Sequence, residues 1–492
     1  MVVVGNQSWG VNTELIGTAQ HQEAVRRLQA SYDALEPGSS VRLAKRTSNL
    51  FRPRDAHESA GLDVSGLGGV ISIDALGRTA DVQGMCTYED LVDATLPHRL
   101  IPLVVPQLRT ITLGGAVTGL GIESTSFRSG LPHESVLEMD IFTGGGEVVT
   151  ARRPSKGPDE HADLFATFPN SYGSLGYATR LRIELEAVHS HVALRHVRFA
   201  DTAALQGAIA TVTDTGEWDG QHVDAMDGTA FEPGEYYLSL AQWTDGVVST
   251  GSTTDKPSDY VGQQVYWRSI QQRETDLLTT YDYLWRWDTD WFWCSRAFGA
   301  QNPVVRRVWP RRLRRSDTYH RLVGLDRRFA IMDRLDRRAG RPQRERVVQD
   351  VEVPVERLGE FLDWFDAAVG MRPVWLCPLR LRENSAVVEE RAPASVSKPW
   401  PSYPLRSERT YVNVGFWGAV PVGDEAPNST LNRAIEDKVA ELEGHKSLYS
   451  ESFYDPATFD RLYDGANLAA VKKRYDPDDR LTSLYDKAVR QR

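Results

Sequence analysis

The stretch "TLGGAVTGLGIESTSFRSGL", residues 112–131, sets five glycines and no lysine in twenty positions. Glycine-rich loops often cradle phosphate, and three such readings can be held against these residues. A Walker A loop requires GxxxxGK followed by Ser or Thr; no lysine follows any of these glycines, so that reading fails. A Rossmann fingerprint requires GxGxxG between a strand and a helix. Gly119 and Gly121 fit it, but the third glycine position holds Ser124, and the stretch lies deep in the chain. The third reading needs neither a cation nor a helix dipole. Successive glycines let the backbone approach a ligand and turn several N–H groups toward it, making an anion-binding concavity. Beside it stands the plainer reading of a glycine-rich turn between strands.

The flanking sequence has to choose between them. With 492 residues the chain is too long for one core, which predicts two compact units. A formal charge of −10 excludes a general nucleic-acid binder, whose footprint is an excess of Lys and Arg. Cys86, Cys294 and Cys377 are far apart and form no CxxC pair, so neither a zinc site nor a disulfide framework is encoded and a reducing compartment is expected. The opening "MVVVGNQSWGVNTELIG" has no signal-peptide pattern, and no window approaches the roughly 18 apolar residues of a spanning helix. These features predict a soluble, cytoplasmic protein. Arginine outnumbers lysine 48 to 9, a bias that suggests a GC-rich bacterial genome.

Residues 18–35 carry apolar side chains at helical spacing and predict one amphipathic helix. Short β-branched runs follow, "GGVISIDAL", "TADVQGM", "SVLEMDIFT", "GEVVTA" and "ATRLRIELEAV", with Gly, Pro or Asp between them. The texture changes near residue 190, where a new strand-then-helix pattern begins. The expected units are 1–190, 191–450 and a closing segment, 451–492, that packs back on the first.

Two features of the second unit stand out. Trp285, Trp287, Trp291 and Trp293 crowd into nine residues, at a spacing that cannot share one helical face, so some are expected to be exposed or at an interface. From Arg296 to Arg346 there are sixteen Arg and five acidic residues. That run is either a solvated face with intramolecular partners or, beside the tryptophans, a 285–346 surface for peripheral contact with membrane phospholipid.

The order of motifs gives the glycine stretch its meaning. "VPQLRTITLGGAVTGLGIESTSFRSGL" followed by "ADLFATFPNSYGSLGYATRLRIEL" resembles the FAD-binding half of the vanillyl-alcohol oxidase (PCMH-type) flavoenzymes, and within them the 24-dehydrocholesterol (delta24-sterol) reductase group. The likeness runs from about residue 41 through "VVQDVEVP", "RPVWLCPL" and "SLYSESFYDPATFDRLYDG", weakest over 190–340. It implies an α+β fold: a two-subdomain FAD-binding domain, then a substrate domain with an antiparallel sheet covered by helices on one face. It also implies FAD contacts at three places. The early loop, Arg46, Thr47, Ser48, Asn49, Leu50 and Phe51, would wrap the pyrophosphate. The second segment comprises Pro106, Thr112, Gly114, Gly115, Thr118, Gly119, Gly121, Ile122, Glu123 and Ser124, and the third Gly173, Ser174, Gly176 and Tyr177. The early loop has no histidine for a covalent flavin link, and Cys86 reads better as a small buried residue, so a non-covalent FAD is expected.

Reductases of this group saturate an isolated carbon–carbon double bond with hydride from a reduced nicotinamide, which implies NADPH as donor; the chain shows no nicotinamide fingerprint of its own. An isolated alkene cannot stabilise a carbanion, so the expected order is proton first, then hydride from flavin N5 to the tertiary cation. That order needs an acid in a dry pocket. Glu123, Tyr449 and Tyr454 are the candidate acids, with His445 and Lys446 nearby. Glu123 reads equally as a carboxylate bonded to ribityl or backbone, and the tyrosines as packing residues. The expected substrate is a methylene-branched fatty acyl chain, reduced to the methyl branch as in tuberculostearic-acid-type synthesis; a sterol side chain is the alternative. An alcohol or sugar oxidase of the same fold, and a lipid- or flavin-binding protein without turnover, also stay open. A homodimer is expected.

Overall fold

The β-branched runs form strands. The computed structural model describes residues 14–45, 51–52, 61–119, 121–154, 160–245, 256–329, 334, 338, 340, 342–382, 399–422 and 429–490. Its first half is built on β1 (Val70–Asp74), β2 (Thr79–Gln83), β3 (Leu100–Pro102), β4 (Val136–Phe142), β5 (Val148–Arg152) and β6 (Tyr177–Ala187). They lie in the order β1-β2-β6-β4-β5, with β3 on the C-terminal end of β6, and every pairing is antiparallel. The first helix, Gly17–Asp33, buries His21, Ala24 and Leu28. Those residues are three and four apart, so one face turns inward.

The second half begins at β7 (His191–Phe199), four residues beyond the end of β6. After a small hairpin, β8 (Glu217–Trp218) and β9 (Gln221–His222), come β10 (Ala225–Glu232), β11 (Glu235–Thr244), β12 (Thr275–Thr279), β13 (Arg344–Pro354), β14 (Val374–Leu379), β15 (Tyr411–Pro421) and β16 (His445–Lys446). Seven of these join β7 in an eight-stranded antiparallel sheet, ordered β12-β7-β11-β10-β14-β15-β13-β16. Helices Thr202–Thr215, Leu358–Ala368 and Thr430–Glu441 cover one face through Leu205, Ile209, Phe361, Phe365, Ile435 and Val439.

The other face turns toward the first unit. Strand side chains alternate, so in β14 Val374 and Leu376 meet the helices while Trp375, Cys377 and Leu379 join the core of the first unit. The chain is therefore α+β, with two sheets sharing one continuous core along this face. The last helices, Pro456–Tyr463, Gly465–Tyr475 and Leu484–Ala488, return to the first unit. Arg480 donates to the Ser39 carbonyl, and the Val41 amide to the Arg480 carbonyl.

The tryptophan run departs from the expectation of exposure. Trp285, Trp287, Trp291 and Trp293 are all buried, none more than 8% exposed. The reason is that they do not occupy one helix. The helix ends at Trp285, and Trp291 and Phe292 then take left-handed backbone angles (φ 46° and 57°), which send successive indoles in different directions. The charged residues between them are inside as well, each with a partner: Arg286 with Asp227 at 3.1 Å, Asp288 with Arg109 at 3.3 Å, Asp290 with Arg306 at 2.6 Å. Burial of such groups is tolerable only when they are paired.

Candidate functional site

The glycine stretch starts on a helix cap. Thr112 is extended, and its Oγ1 accepts from the Gly115 amide to start the short helix Leu113–Thr118. This helix is pressed against the turn after β2: the Gly114 amide donates to the Gly84 carbonyl at 2.9 Å, and a Cβ on Gly114 would lie 2.7 Å from that oxygen. Further on, a Cβ on Gly121 would lie 2.8 Å from Pro132 Cγ and 3.2 Å from Pro106 Cγ. The glycines are thus required by close approach of chain to chain.

That corrects the amide-concavity reading for four positions. The amides of Gly114, Gly115, Ala116 and Gly119 already donate to Gly84 O, Thr112 Oγ1, Thr112 O and Gly115 O. The cation absent from the stretch comes from elsewhere: Lys45 Nζ donates to Thr112 Oγ1 at 3.2 Å.

A cavity of about 290 Å³ opens along this segment. Of the residues expected to bind FAD, Phe51, Pro106, Thr112, Gly114, Gly115, Thr118, Gly119, Gly121, Ile122, Glu123, Gly173 and Tyr177 line it. Ser124, Ser174 and Gly176 do not. Ser124 is buried beneath the wall, its Oγ accepting from the Tyr283 hydroxyl at 2.9 Å. The Ser174 amide closes a turn onto Ser171 O, and Gly176 (φ 132°) lets the chain pass close to Phe142 O. Arg46, Thr47, Ser48, Asn49 and Leu50 lie outside the described residues. Cys86 is buried, not in the lining, with its thiol directed at Thr87 O.

The cavity continues past the glycine segment into a chamber provided by the second sheet. Trp291, Phe292, Cys294, Trp375 and Trp417 wall it, and Asp350, Asn413 and Tyr449 bring polar groups to it. Trp375 is held from behind, since its Nε1 and that of Trp287 both donate to Asp227 Oδ2, at 3.1 and 2.9 Å. Asp350 sits on β13 opposite Gly415 of β15. A Cβ on Gly415 would lie 2.5 Å from Asp350 Oδ1, so this glycine makes room for the carboxyl. Asn413 Nδ2 donates to the same oxygen at 3.4 Å. Trp417 Nε1 donates to the Tyr449 hydroxyl at 2.9 Å, and that hydroxyl lies close enough to Asp350 to favour its charged form.

Two carboxyls of the cavity are held away from their ordinary behaviour. Burial pushes Asp350 up to about 7, against the opposing pull of hydrogen bonds from Asn413 and Tyr449. Burial also raises Glu123 well above the usual carboxylate range. Its Oε1 accepts from the Gln107 amide at 2.8 Å, while Oε2 is buried with no partner among the described residues. A buried carboxyl oxygen of this kind, on a wall stripped of side chains by glycine, suits the polar edge of a bound FAD. Burial pushes the Cys294 thiol up to about 12, which keeps it neutral.

Of the three expected acids, then, two line the cavity and one does not. Tyr454 is packed against Tyr463, with its carbonyl accepting from the Tyr485 hydroxyl, and is absent from the lining. Lys446 is also buried elsewhere, paired with Glu436 at 3.4 Å. Asp350, Asn413, Trp375 and Trp417 were missed in the sequence reading. Asp350 stands in "VVQDVEVP" with Glu352, and two acids on one face of a β-branched run are a usable signal, since charges facing a core need a reason.

The chain resembles known proteins along most of its length. Residues 19–152 match the FAD binding domain family. A Delta(24)-sterol reductase of Arabidopsis thaliana is 24% identical over 459 residues, covering 88% of this chain and 77% of that protein. The Homo sapiens Delta(24)-sterol reductase is 22% identical over 434 residues, covering 85% and 74%. Cytokinin dehydrogenase 6 of Oryza sativa subsp. japonica is 36% identical over 136 residues, covering 27% and 24%.

Proposed function

We propose that this chain, whose residues 19–152 match the FAD binding domain family and which is similar along most of its length to Delta(24)-sterol reductases, is an FAD-dependent oxidoreductase that saturates an isolated carbon–carbon double bond of a lipid, with NADPH as electron donor. The observation that carries this reading is the chamber beyond the glycine segment. Its walls are indole and phenyl rings, and among its polar groups is a carboxyl that burial raises to about 7. Such a chamber suits an apolar chain that must receive a proton with water excluded.

Bound FAD supplies hydride at N5. The chain's own part is to hold and place the proton. Asp350 carries it on its carboxyl, with Asn413 and Tyr449 fixing the carboxyl's direction and Trp417 fixing Tyr449. The proton passes to the less substituted alkene carbon, leaving a tertiary cation and the Asp350 carboxylate. The alkene gains one proton from Asp350 and, for the second C–H bond, one hydride drawn from NADPH by way of bound FAD, and the Asp350 carboxylate regains its proton from solvent. Glu123, fastened to the Gln107 amide, helps position the ligand from the glycine segment.

The preferred substrate is a methylene-branched fatty acyl chain. Its alkene protonates to a tertiary cation, and the arginine-rich, lysine-poor composition suits a bacterium. A sterol side chain is the second reading, favoured by the names of the relatives. The three free cysteines suit action in the cytoplasm.

Anaerobic stopped-flow at the flavin band tests the proposal. NADPH should bleach the FAD, and either a methylene-branched phospholipid or a Δ24-sterol should restore it, naming the substrate class. Reduction by an alcohol and reoxidation by air, with no response to NADPH, would make the protein an oxidase instead.

A further inference from the structure

Among the described residues six large apolar side chains are exposed, and three of them, Val304 (75%), Val308 (77%) and Leu313 (40%), lie within ten positions. Leu15, Leu76 and Val148 are scattered singly, which is ordinary. The cluster is not. Val304 and Val308 are four apart on the helix Pro303–Val308, hence on one side of it, and Leu313 closes the following turn, Arg311–Leu313.

The arginines of this segment divide by direction. Arg306 and Arg314 point inward and fasten the segment down. Arg306 pairs with Asp290 at 2.6 Å and donates to Gln263 O and Gln264 O; Arg314 donates to Gly262 O and Trp309 O. Arg307, Arg311 and Arg312 are exposed. Between 302 and 313 there is no acidic residue. The nearest acids are engaged: Asp259 with Arg311 at 2.7 Å, and Asp317 with Arg315 at 3.3 Å.

Behind the segment an aromatic column leads to the cavity. Trp309 packs on Tyr319 (ring centroids 6.3 Å), Tyr319 stacks on Trp291 (6.5 Å), and Trp291, which lines the cavity, stacks on Phe51 (5.7 Å).

We infer that residues 303–313 form a docking edge for the surface of an anionic phospholipid bilayer, with Val304, Val308 and Leu313 entering the acyl boundary and Arg307 and Arg312 at the headgroup phosphates. A rigid, stapled apolar projection ringed by guanidinium groups matches that layer, apolar below and anionic above. The charge of −10 carried by the whole chain opposes approach by other faces, so this edge also sets orientation. The inference rests on the surface itself and does not depend on which alkene is reduced.

Sedimentation of the FAD-loaded protein with phosphatidylglycerol or phosphatidylcholine vesicles tests it without turnover. The wild type should bind phosphatidylglycerol vesicles in preference and release them at high salt. V304D/V308D should weaken binding at least tenfold, and R307A/R312A about fivefold for each arginine, both with unchanged FAD content and thermal midpoint. Should the wild type ignore the anionic vesicles, or either variant bind as the wild type does, the inference falls. It falls equally if V304D/V308D turns a dimer into a monomer while no vesicle binding is seen, since the face would then meet a second copy of this chain.

Discussion

Asp350 is a carboxyl that the fold keeps near its titration point. In the proposed reaction only its acid form is useful, and that form is lost as pH rises through about 7. Alkene-dependent reoxidation of the reduced flavin should therefore fall across that range, while bleaching by NADPH should not follow it. Asp350→Asn should slow reoxidation by roughly 10²-fold or more with bleaching intact, and Tyr449→Phe should shift the pH profile upward, because a bond favouring the carboxylate is removed. Equal loss of both half-reactions in Asp350→Asn would assign the residue to FAD placement instead. Glu123 could be read from the chain because it stands inside the glycine motif. Asp350 could be suspected from its run but not placed, because its companions Asn413, Gly415 and Tyr449 are more than sixty positions away. Nothing local says that β13 and β15 pair with Asp350 opposite Gly415.

The segment from Trp285 to Trp293 shows how an element can mislead when its period is read alone. The spacing of this aromatic-rich run predicts that some tryptophans are exposed or at an interface. Folded, it is a hub where Arg286, Asp288 and Asp290 reach three different parts of the chain. Arg286 also lies over the Tyr283 ring at 3.9 Å and the Tyr266 ring at 5.2 Å. Asp227 accepts from both Trp287 and Trp375, so its loss would free a buried guanidinium and two indoles together. Asp227→Leu should cost about 3–5 kcal/mol in urea unfolding and loosen the wall carrying Trp375. A change below about 1 kcal/mol would mean the pair is dispensable to folding. The glycine segment teaches a related lesson. Its composition announced close approach correctly, but the approaching group is largely the protein's own backbone.

The whole molecule closes its cavity with pieces from both ends of the chain. The Phe51 amide donates to Tyr449 O, Arg52 donates to Leu448 O at 2.7 Å, and Lys487 Nζ donates to the carbonyls of Tyr172 and Gly173 at 3.1 and 2.8 Å. Because Gly173 lines the cavity, Lys487→Ala should lower FAD affinity about tenfold, the worth of a charge-assisted bond. Titration of apoprotein with FAD would measure this, and an unchanged affinity would leave Lys487 with packing alone. No helix among the described residues is long and apolar enough to cross a membrane. From the chain alone one could read the α+β class and the change of texture near residue 190, since these depend on short-range periodicity; the FAD reading of the glycine segment came from its resemblance to a flavoenzyme family. The place of Asp350 in the cavity, the burial of the tryptophans, and the division of the arginines into inward staples and an outward edge needed the folded chain. Each of them depends on which residues distant in sequence are brought within a few ångströms, and on how much water is left around them.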